Sequence, residues 1–296
     1  MPNLKEVRTR IASVKSTQQI TSAMKMVAAS KLRRAQNAIL QMRPFAAKLK
    51  EILQNLSTSL DAGDDASVFS VQREPLNVLI IPVSSNRGLC GAFNANVIKL
   101  TLNLIGKKYK TQYDNGNVSF ITVGKKVSEY FGKRDFNVLE VHDEVFDTLT
   151  YENVSVIAEN VMQKFESKKF DRIEIVYNQF KNAATQRLIT EQFLPVERVL
   201  DESGEANTPK VDYIFEPSKI EIVQDLIPKS LKIQFYKALL DSFASEHGAR
   251  MTAMHQATDN AQELLKDLNL TYNKARQAAI TNEILEIVGG AEALKG

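Results

Sequence analysis

A seven-residue repeat of apolar positions occupies the first part of the chain. Between residues 4 and 60 these positions recur at alternating spacings of three and four, which predicts one long coiled-coil helix. Such a helix would extend about 80 Å at 1.5 Å per residue, more than the diameter of an ordinary small domain. Pro44 should kink it or remove one backbone hydrogen bond. Polar residues interrupt the repeat at Gln18, Thr21 and Lys25.

A second apolar repeat lies near the other end of the chain. It runs from Ile233 to Ala279, and the two glycines after Val288 predict the end of this helix. Pro217 and Pro228 are well placed to open helical segments. Each long helix has an apolar seam that it must bury, and the simplest solution is for the two seams to pack together. Because a compact domain separates their inner ends, the helices should pair antiparallel.

Strand and helix patterns alternate between these two repeats. The β-branched runs LNVLIIPV, NVSFITV, DRIEIVYN and RLITEQFLPV predict strands, while AFNANVIKLTLNLIGKKY and NVSVIAENVMQKFESKK have helical spacing. This order predicts an open, Rossmann-like α/β sheet that is mostly parallel at its start. The predicted fold class is therefore α/β, with a long antiparallel two-helix coiled coil added to the sheet domain. The predicted parts are residues 1–60, 61–218 and 219–296.

The composition excludes several kinds of site. The chain has one cysteine and three histidines among its 296 residues, too few for an internal disulfide or a thiolate zinc cage. Its apolar runs are too short to cross a bilayer, and no leader-like segment opens the sequence, so we expect a soluble protein. Residues 1–60 carry eleven Lys and Arg against two Glu, a net charge of +9. This basic arm predicts an acidic partner.

The loop SSNRGLCGAFN, residues 84–94, follows a buried strand and opens a helix, which is where α/β proteins hold phosphate. It lacks the G-x-G-x-x-G and G-x-x-x-x-G-K-[ST] patterns, so a structural turn is favoured over a phosphate site. Cys90 invites comparison with a nucleophile elbow, but Ala92 stands where the second glycine should be. We therefore expect a buried, inert cysteine and no cofactor.

Two stretches carry apolar residues that a pair of helices would leave uncovered. Met24, Met26 and Val27 lie beside the seam of the first helix. Near the end of the chain, large aliphatic residues surround much of the helix, and an all-round apolar helix is normally buried. We expect other protein to enclose both stretches. The aliphatic residues are Ile280, Ile284, Leu285, Ile287 and Val288.

The two ends of the sequence resemble those of a known family. The opening LKEVRTRIASVKSTQQITSAMKMVAASKLRRAQ and a closing stretch from ARMTAMHQATDN to EILEIVGGAEAL are similar to the gamma subunit of the F-type ATP synthase. The run RGLCGAFN resembles that family's central-domain signature. The resemblance implies a noncatalytic rotor shaft, which couples proton-driven rotation of a membrane ring to ATP synthesis or hydrolysis in partner subunits.

The resemblance also implies partners and contact residues. The partners would be the alpha and beta subunits, the epsilon subunit and the membrane c-ring, with no nucleic acid and no direct membrane insertion. Plastid members carry an extra cysteine pair, and its absence favours a peripheral protein on the cytoplasmic face of the bacterial inner membrane. The implied contact residues are Met24, Lys25, Lys31, Arg33, Arg34, Arg250, Arg276, Gln277, Thr281, Glu283, Ile284, Leu285 and Val288.

Two other interpretations remain open from the residues alone. A coiled-coil protein could use the basic arm to bind nucleic-acid phosphates, with an affinity that falls steeply with salt. A nucleotide-dependent enzyme could place a pocket with convergent polar groups after the first strand. The first leaves the apolar carboxyl-terminal stretch unexplained.

Overall fold

The computed structural model describes residues 4–58, 68–183, 185–196 and 219–293. The chain divides into two compact units, which we describe separately. The coil unit contains residues 1–29 and 250–296, and the sheet unit contains residues 30–249. The predicted boundaries at 60/61 and 218/219 fall on or beside residues outside the described ranges, so the three-part division stays a prediction.

Two long helices supply the coil unit. Helix α1 spans Leu4–Thr58 and helix α6 spans Lys219–Ala293. In the coil unit their buried positions recur at multiples of seven, which confirms the seams predicted from the sequence. The buried seam residues of α1 are Val7, Thr21 and Ala28, and those of α6 are Met254, Ala261 and Leu268.

The burial pattern of the coil unit fits antiparallel helices. The hydroxyl oxygens of Thr21 and Thr258 lie 2.9 Å apart, which fixes where the helices meet. Leu4, where α1 begins, lies 17 residues before Thr21 (21 − 4). Ala278, the last half-buried residue of α6, lies 20 residues after Thr258 (278 − 258). The two distances along the chain are nearly equal, so α6 becomes exposed where α1 runs out.

Two predicted helix boundaries were wrong. Helix α6 continues through Gly289 and Gly290 to Ala293. A glycine ends a helix by adopting a left-handed conformation, and neither of these glycines has a positive φ. Pro228 does not open a helix either, because α6 already contains it. Pro44 likewise lies inside α1, which is assigned as one continuous helix.

The sheet unit is built on five strands in the order β3-β2-β1-β4-β5. The strands are β1 Val78–Pro82, β2 Val118–Val123, β3 Asn137–His142, β4 Arg172–Phe180 and β5 Gln186–Leu194. The first four are parallel, which confirms the sheet predicted to be mostly parallel at its start. Strand β5 pairs antiparallel with β4. The other helices are α2 Phe93–Lys108, α3 Lys110–Asp114, α4 Lys125–Gly132 and α5 Tyr151–Glu166.

Helices cover both faces of the sheet. On one face, α5 and α6 residues such as Val161 and Phe235 pack on Leu79, Ile81 and other buried strand residues. On the opposite face, α2 and α4 contribute side chains to a second core around Val78 and Ile80. Burial on both faces explains why β1 and β2 are nearly continuous apolar runs.

Strand β3 and helix α4 were not predicted from the sequence. Strand β3 is an edge strand with no fully buried residue, so its alternation of apolar and polar residues is weak. Helix α4 has only eight residues, of which Val127 and Phe131 are buried. Both elements are too short or too exposed to give a strong periodic signal.

Candidate functional site

Hydrogen bonds inside the loop of residues 84–94 use most of its polar groups. The Asn94 carboxamide oxygen accepts from the Ser85 backbone N–H at 3.0 Å. The Asn94 amide nitrogen donates to the Cys90 sulfur at 3.2 Å, and the Ser85 hydroxyl donates to the Arg87 carbonyl at 2.7 Å. These bonds hold the turn closed on itself.

The neighbouring start of α4 is also occupied. The backbone N–H groups of residues 125, 126 and 127 donate to the Asn86 side chain, the Ser85 carbonyl and the Ser84 hydroxyl. These are the groups that would hold a phosphate at a helix amino terminus. Gly124, at φ 95°, allows this approach, because a Cβ there would lie 2.3 Å from the Ser84 carbonyl oxygen. The loop is therefore fixed to the start of α4 by these hydrogen bonds.

The remaining catalytic candidates have other neighbours. Cys90 is buried, at 1% exposure. His142 bonds to Glu140 on strand β3, whereas His247 packs its ring 4.4 Å from that of Phe243 on α6. Across the ranges that the structure describes, His, Cys, Asp and Glu form no group of three or more able to hold a metal ion.

The last turns of α6, residues 279–293, form the most unusual surface of the coil unit. Every residue of this stretch, which we call the tip, is exposed. Its large aliphatic side chains are between 45% and 67% exposed, on several sides of the helix. A soluble protein rarely leaves such a cluster in water. The exposed aliphatic residues are Ile280, Ile284, Leu285, Ile287 and Val288.

A second exposed surface lies at the polar interruption of the coil unit. Met26 and Val27 are 63% and 59% exposed, whereas Met24 and Lys25 are half-buried. Ile20, at 57%, belongs to the same surface, and the sequence pattern around Lys25 did not predict it. An open groove of about 340 Å³ runs beside it, lined by Gln18, Gln19, Ser22, Ala23, Met26 and Thr258.

The other predicted contact residues differ in exposure. Arg250 is only 7% exposed, so little of its side chain is accessible within the coil unit. Thr281 is exposed, and its hydroxyl donates to the Gln277 carbonyl of its own helix at 2.9 Å. Arg276, Gln277 and Glu283 are also exposed. In the sheet unit, Lys31, Arg33 and Arg34 all lie exposed on α1.

Comparisons with known proteins identify the family. The ATP synthase family profile matches residues 3–294. The gamma chains of Christiangramia forsetii and Flavobacterium psychrophilum are each 59% identical to this chain, over the full length of both proteins in each case. The chain belongs to the ATP synthase gamma chain family. This confirms the resemblance found in the sequence and makes the chain a noncatalytic subunit of that membrane-associated complex.

Solved structures share the fold of this gamma-family chain. A chain of the Euglena gracilis mitochondrial ATP synthase, in an OSCP, F1 and c-ring assembly, aligns with a TM-score of 0.68 at 24% identity. The alignment covers 98% of this chain and 94% of that one. A chain from the rotor of the same organism's enzyme gives 0.65 at 23% identity, covering 94% and 98%. The described helices include none with the length and hydropathy needed to cross a membrane.

Proposed function

We propose that this chain is the central shaft of an ATP synthase. In this proposal a membrane ring turns the chain, and its asymmetric surface drives partner subunits in turn through the states that make or hydrolyse ATP. Family membership supports the assignment.

The exposed tip is the observation that carries the proposal. Burying a single large aliphatic side chain contributes about 1.5–3 kcal/mol. The tip leaves Ile284, Leu285 and Ile287 more than half exposed, because α1 has ended before this level and cannot cover them. We propose that the alpha and beta subunits form an apolar sleeve around the tip. The proposed contacts at and just before the tip are Arg276, Gln277, Thr281, Glu283, Ile284, Leu285 and Val288.

A second proposed contact involves the surface around Met26 and acidic loops of the beta subunits. Lysine and arginine attract acidic loops, while exposed charge pairs contribute only about 0.2–1 kcal/mol each. Weak, distributed attraction suits a surface that must release each loop as it turns. Methionine adapts to changing neighbours. The residues proposed for this contact in the coil unit are Met24, Lys25 and, through its small exposed part, Arg250. Lys31, Arg33 and Arg34 of the sheet unit are proposed as separate contacts with acidic partner loops.

The remaining partners follow from the same role. We propose that the sheet unit meets the epsilon subunit and the membrane c-ring, and that the complex lies on the cytoplasmic face of a bacterial inner membrane. The bacterial origin of the most similar relatives described above supports this location.

The sleeve can be tested in the assembled enzyme. We expect the triple variant Ile284→Asp, Leu285→Asp, Val288→Asp to co-purify with the partner subunits through the rest of the chain. In sealed membrane vesicles, ATP-driven proton uptake per ATP hydrolysed should fall by about tenfold, since burying carboxylates in an apolar sleeve is costly. A pH-sensitive dye measures the uptake, and phosphate release measures the hydrolysis.

Asn273→Asp is the control for an added carboxylate outside the tip, because it introduces one negative charge at an exposed position of α6, against three in the triple variant. It should preserve the ratio of proton uptake to hydrolysis. Parental coupling in the triple variant would contradict the sleeve, and failure of the parent chain to co-purify with ATP synthase subunits would contradict the shaft itself.

A further inference from the structure

Residues 231–249 of α6 are enclosed within the sheet unit. None of these residues is exposed, although polar and charged side chains such as Asp241 and Glu246 occur among them. We call this stretch the anchored segment. Its apolar residues Leu231, Phe235 and Leu239 belong to the core on one face of the sheet. Core packing alone accounts for its position, but not for its polar side chains.

The polar residues of the anchored segment include a regular stripe. Positions 234, 238, 241, 245 and 248 alternate spacings of four and three, which places them on one face of the helix. Their side chains are small or polar, and two of them form hydrogen bonds to the sheet. The stripe consists of Gln234, Ala238, Asp241, Ser245 and Gly248.

Ser245 and Gln234 tie the two ends of this stripe to different strands. The Ser245 hydroxyl is fully buried and donates to the Asn178 backbone carbonyl on β4 at 2.9 Å. The Gln234 amide donates to the Glu191 carboxylate on β5 at 2.7 Å. The other oxygen of Glu191 accepts from the Tyr177 hydroxyl at 2.6 Å. One helix is thereby bonded to two adjacent strands.

Gly248 brings the helix backbone against the chain that links β4 to β5. A Cβ atom at Gly248 would lie 2.9 Å from the Ala183 carbonyl oxygen, closer than such contacts normally occur. An alanine there would therefore force the backbone of the helix or of the link to shift. On another side of the helix, Lys232 forms an ion pair with Glu159 of α5.

The hydrogen bonds of the anchored segment depend on direction, whereas the surrounding apolar packing does not. The hydrophobic effect is non-directional, so burial alone favours one rotation of the helix less sharply than hydrogen bonds do. Hydrogen bonds weaken steeply when their angle or length changes. The bonds of Gln234 and Ser245 are separated by eleven residues, or about 16 Å of helix at 1.5 Å per residue. Fixing a rod at two separated points opposes both sliding and rotation about its own axis.

We infer that Gln234, Ser245 and Gly248 form a mechanical joint that locks helix α6 to strands β4 and β5 and to the link between them. A load applied to the sheet unit then passes into the helix without slipping at this contact. The inference rests on the proposed shaft function and assigns load transfer to particular residues. A purely stabilising role would change the melting temperature without changing the torsional stiffness at lower temperature.

The test uses the assembled enzyme with its catalytic ring fixed to a surface. A bead is attached to the sheet unit through Asn115→Cys, an exposed position, since the native Cys90 is buried. With the ring arrested by a non-hydrolysable nucleotide, the angular variance of the bead measures torsional stiffness. We compare the parent with Ser245→Ala, with Gln234→Leu plus Ser245→Ala, and with Gly248→Ala.

We expect the angular variance to rise by about twofold in the double variant and in Gly248→Ala, because strained or missing contacts loosen a packed interface. Ser245→Ala should give a smaller rise. Ser155→Ala is the matched control: its hydroxyl donates to the Tyr151 carbonyl within its own helix at 2.7 Å. It should leave the variance unchanged.

Parental variance in Ser245→Ala would overturn the joint, and this mild change keeps the test valid if the other variants fail to assemble. An equal rise in Ser155→Ala would also overturn it, because that result would reflect general loosening. If the bead on the parent does not rotate with ATP, the proposed shaft function itself fails. A parent that rotates, with variants of unchanged stiffness, removes only the joint.

Discussion

Two stretches of helix α6 both carry large apolar side chains, but the chain buries one stretch and leaves the other exposed. The anchored segment, residues 231–249, has no exposed residue, and the tip, residues 279–293, has no buried one. Both carry large apolar side chains on several sides of the helix. The difference shows that an all-round apolar pattern predicts burial but does not say whether the covering surface belongs to the same chain.

The polar residues of the two stretches separate them further. In the anchored segment Gln234 and Ser245 bond to the sheet, which specifies one position for the helix. In the tip, the Thr281 hydroxyl donates to the Gln277 carbonyl of its own helix. The stretch that the chain itself buries is therefore the one with hydrogen bonds to neighbouring strands. The Thr281 bond stays within its own helix, which agrees with the proposal that a partner surface covers the tip.

The largest expected effect is on the core of the anchored segment. Phe235 is fully buried, with its ring 5.5 Å from that of Phe193. Phe235→Ala should destabilise the full chain by about 3–5 kcal/mol, since it removes a large side chain and leaves a cavity. Urea unfolding followed by circular dichroism measures the loss. A loss below about 1 kcal/mol, the usual surface range, would mean that the segment is not core-packed.

A smaller loss is expected in the seam of the coil unit, where α6 is buried on one face only. Leu268 is 8% exposed. Leu268→Asp should cost about 2–3 kcal/mol, because it removes a buried side chain and adds a charge. Thermal unfolding of the full chain followed by helical signal provides the measurement. The exposed neighbour change Asn269→Asp is the control, and equal effects of the two changes would contradict a one-sided seam.

The strands that hold the anchored segment should also respond to high pH, through Tyr177 on β4. Burial, reinforced by the Glu191 charge and hydrogen bond, raises the pKa of Tyr177 above its usual value. The unfolded chain ionises this tyrosine near pH 10 while the folded chain keeps it neutral, so stability is present below pH 10 and lost above it. The loss should approach about 1.4 kcal/mol per pH unit.

Tyr177→Phe should make the decline in stability above pH 10 correspondingly shallower. Urea midpoints of the parent and the variant between pH 9 and 11.5 provide the test. The exposed Tyr113→Phe serves as the control and should keep the parental slope. If both variants show the parental slope, Tyr177 does not remain neutral in the folded chain.

The smallest effect is expected at the tip of the chain outside the complex. Ile284 is 55% exposed, so Ile284→Ala should change the free energy of unfolding by no more than about 0.5 kcal/mol. The measurement is urea unfolding of the full chain, as for Phe235→Ala. A loss above about 1.5 kcal/mol would show that the chain itself covers the tip and would remove the contrast with the anchored segment.

The sequence predicted long regular elements better than short ones. The seams through Val7 and Leu268 could be read because a spacing of three and four persists over many turns. Strand β3 could not, since an edge strand carrying Glu140 and His142 has no sustained apolar pattern. The end of α6 was placed too early at Val288, because a glycine stops a helix only when the backbone turns left-handed.

The candidate surfaces were predicted in part. The tip was evident from its aliphatic residues, and within the described part of the chain α1 begins at Leu4, before it could cover them. The exposure of Met26 and Val27 was expected from their positions beside the seam, but Met24 is half-buried and Arg250 nearly buried. The joint formed by Gln234, Ser245 and Gly248 could not be predicted, because it depends on backbone carbonyls whose positions only the folded sheet defines.

The pair of threonines in the coil unit selects one alignment among many. Sliding either helix by seven residues keeps most apolar positions matched, so a uniform seam would tolerate the slip. Such a slip would place Thr21 opposite Leu265 or Met251 and lose the interhelical hydroxyl contact with Thr258. Losing one hydrogen bond costs about 0.5–1.5 kcal/mol, roughly a two- to tenfold preference for the native alignment. Two hydroxyl groups thus set the register between two helices whose apolar repeats would otherwise allow several.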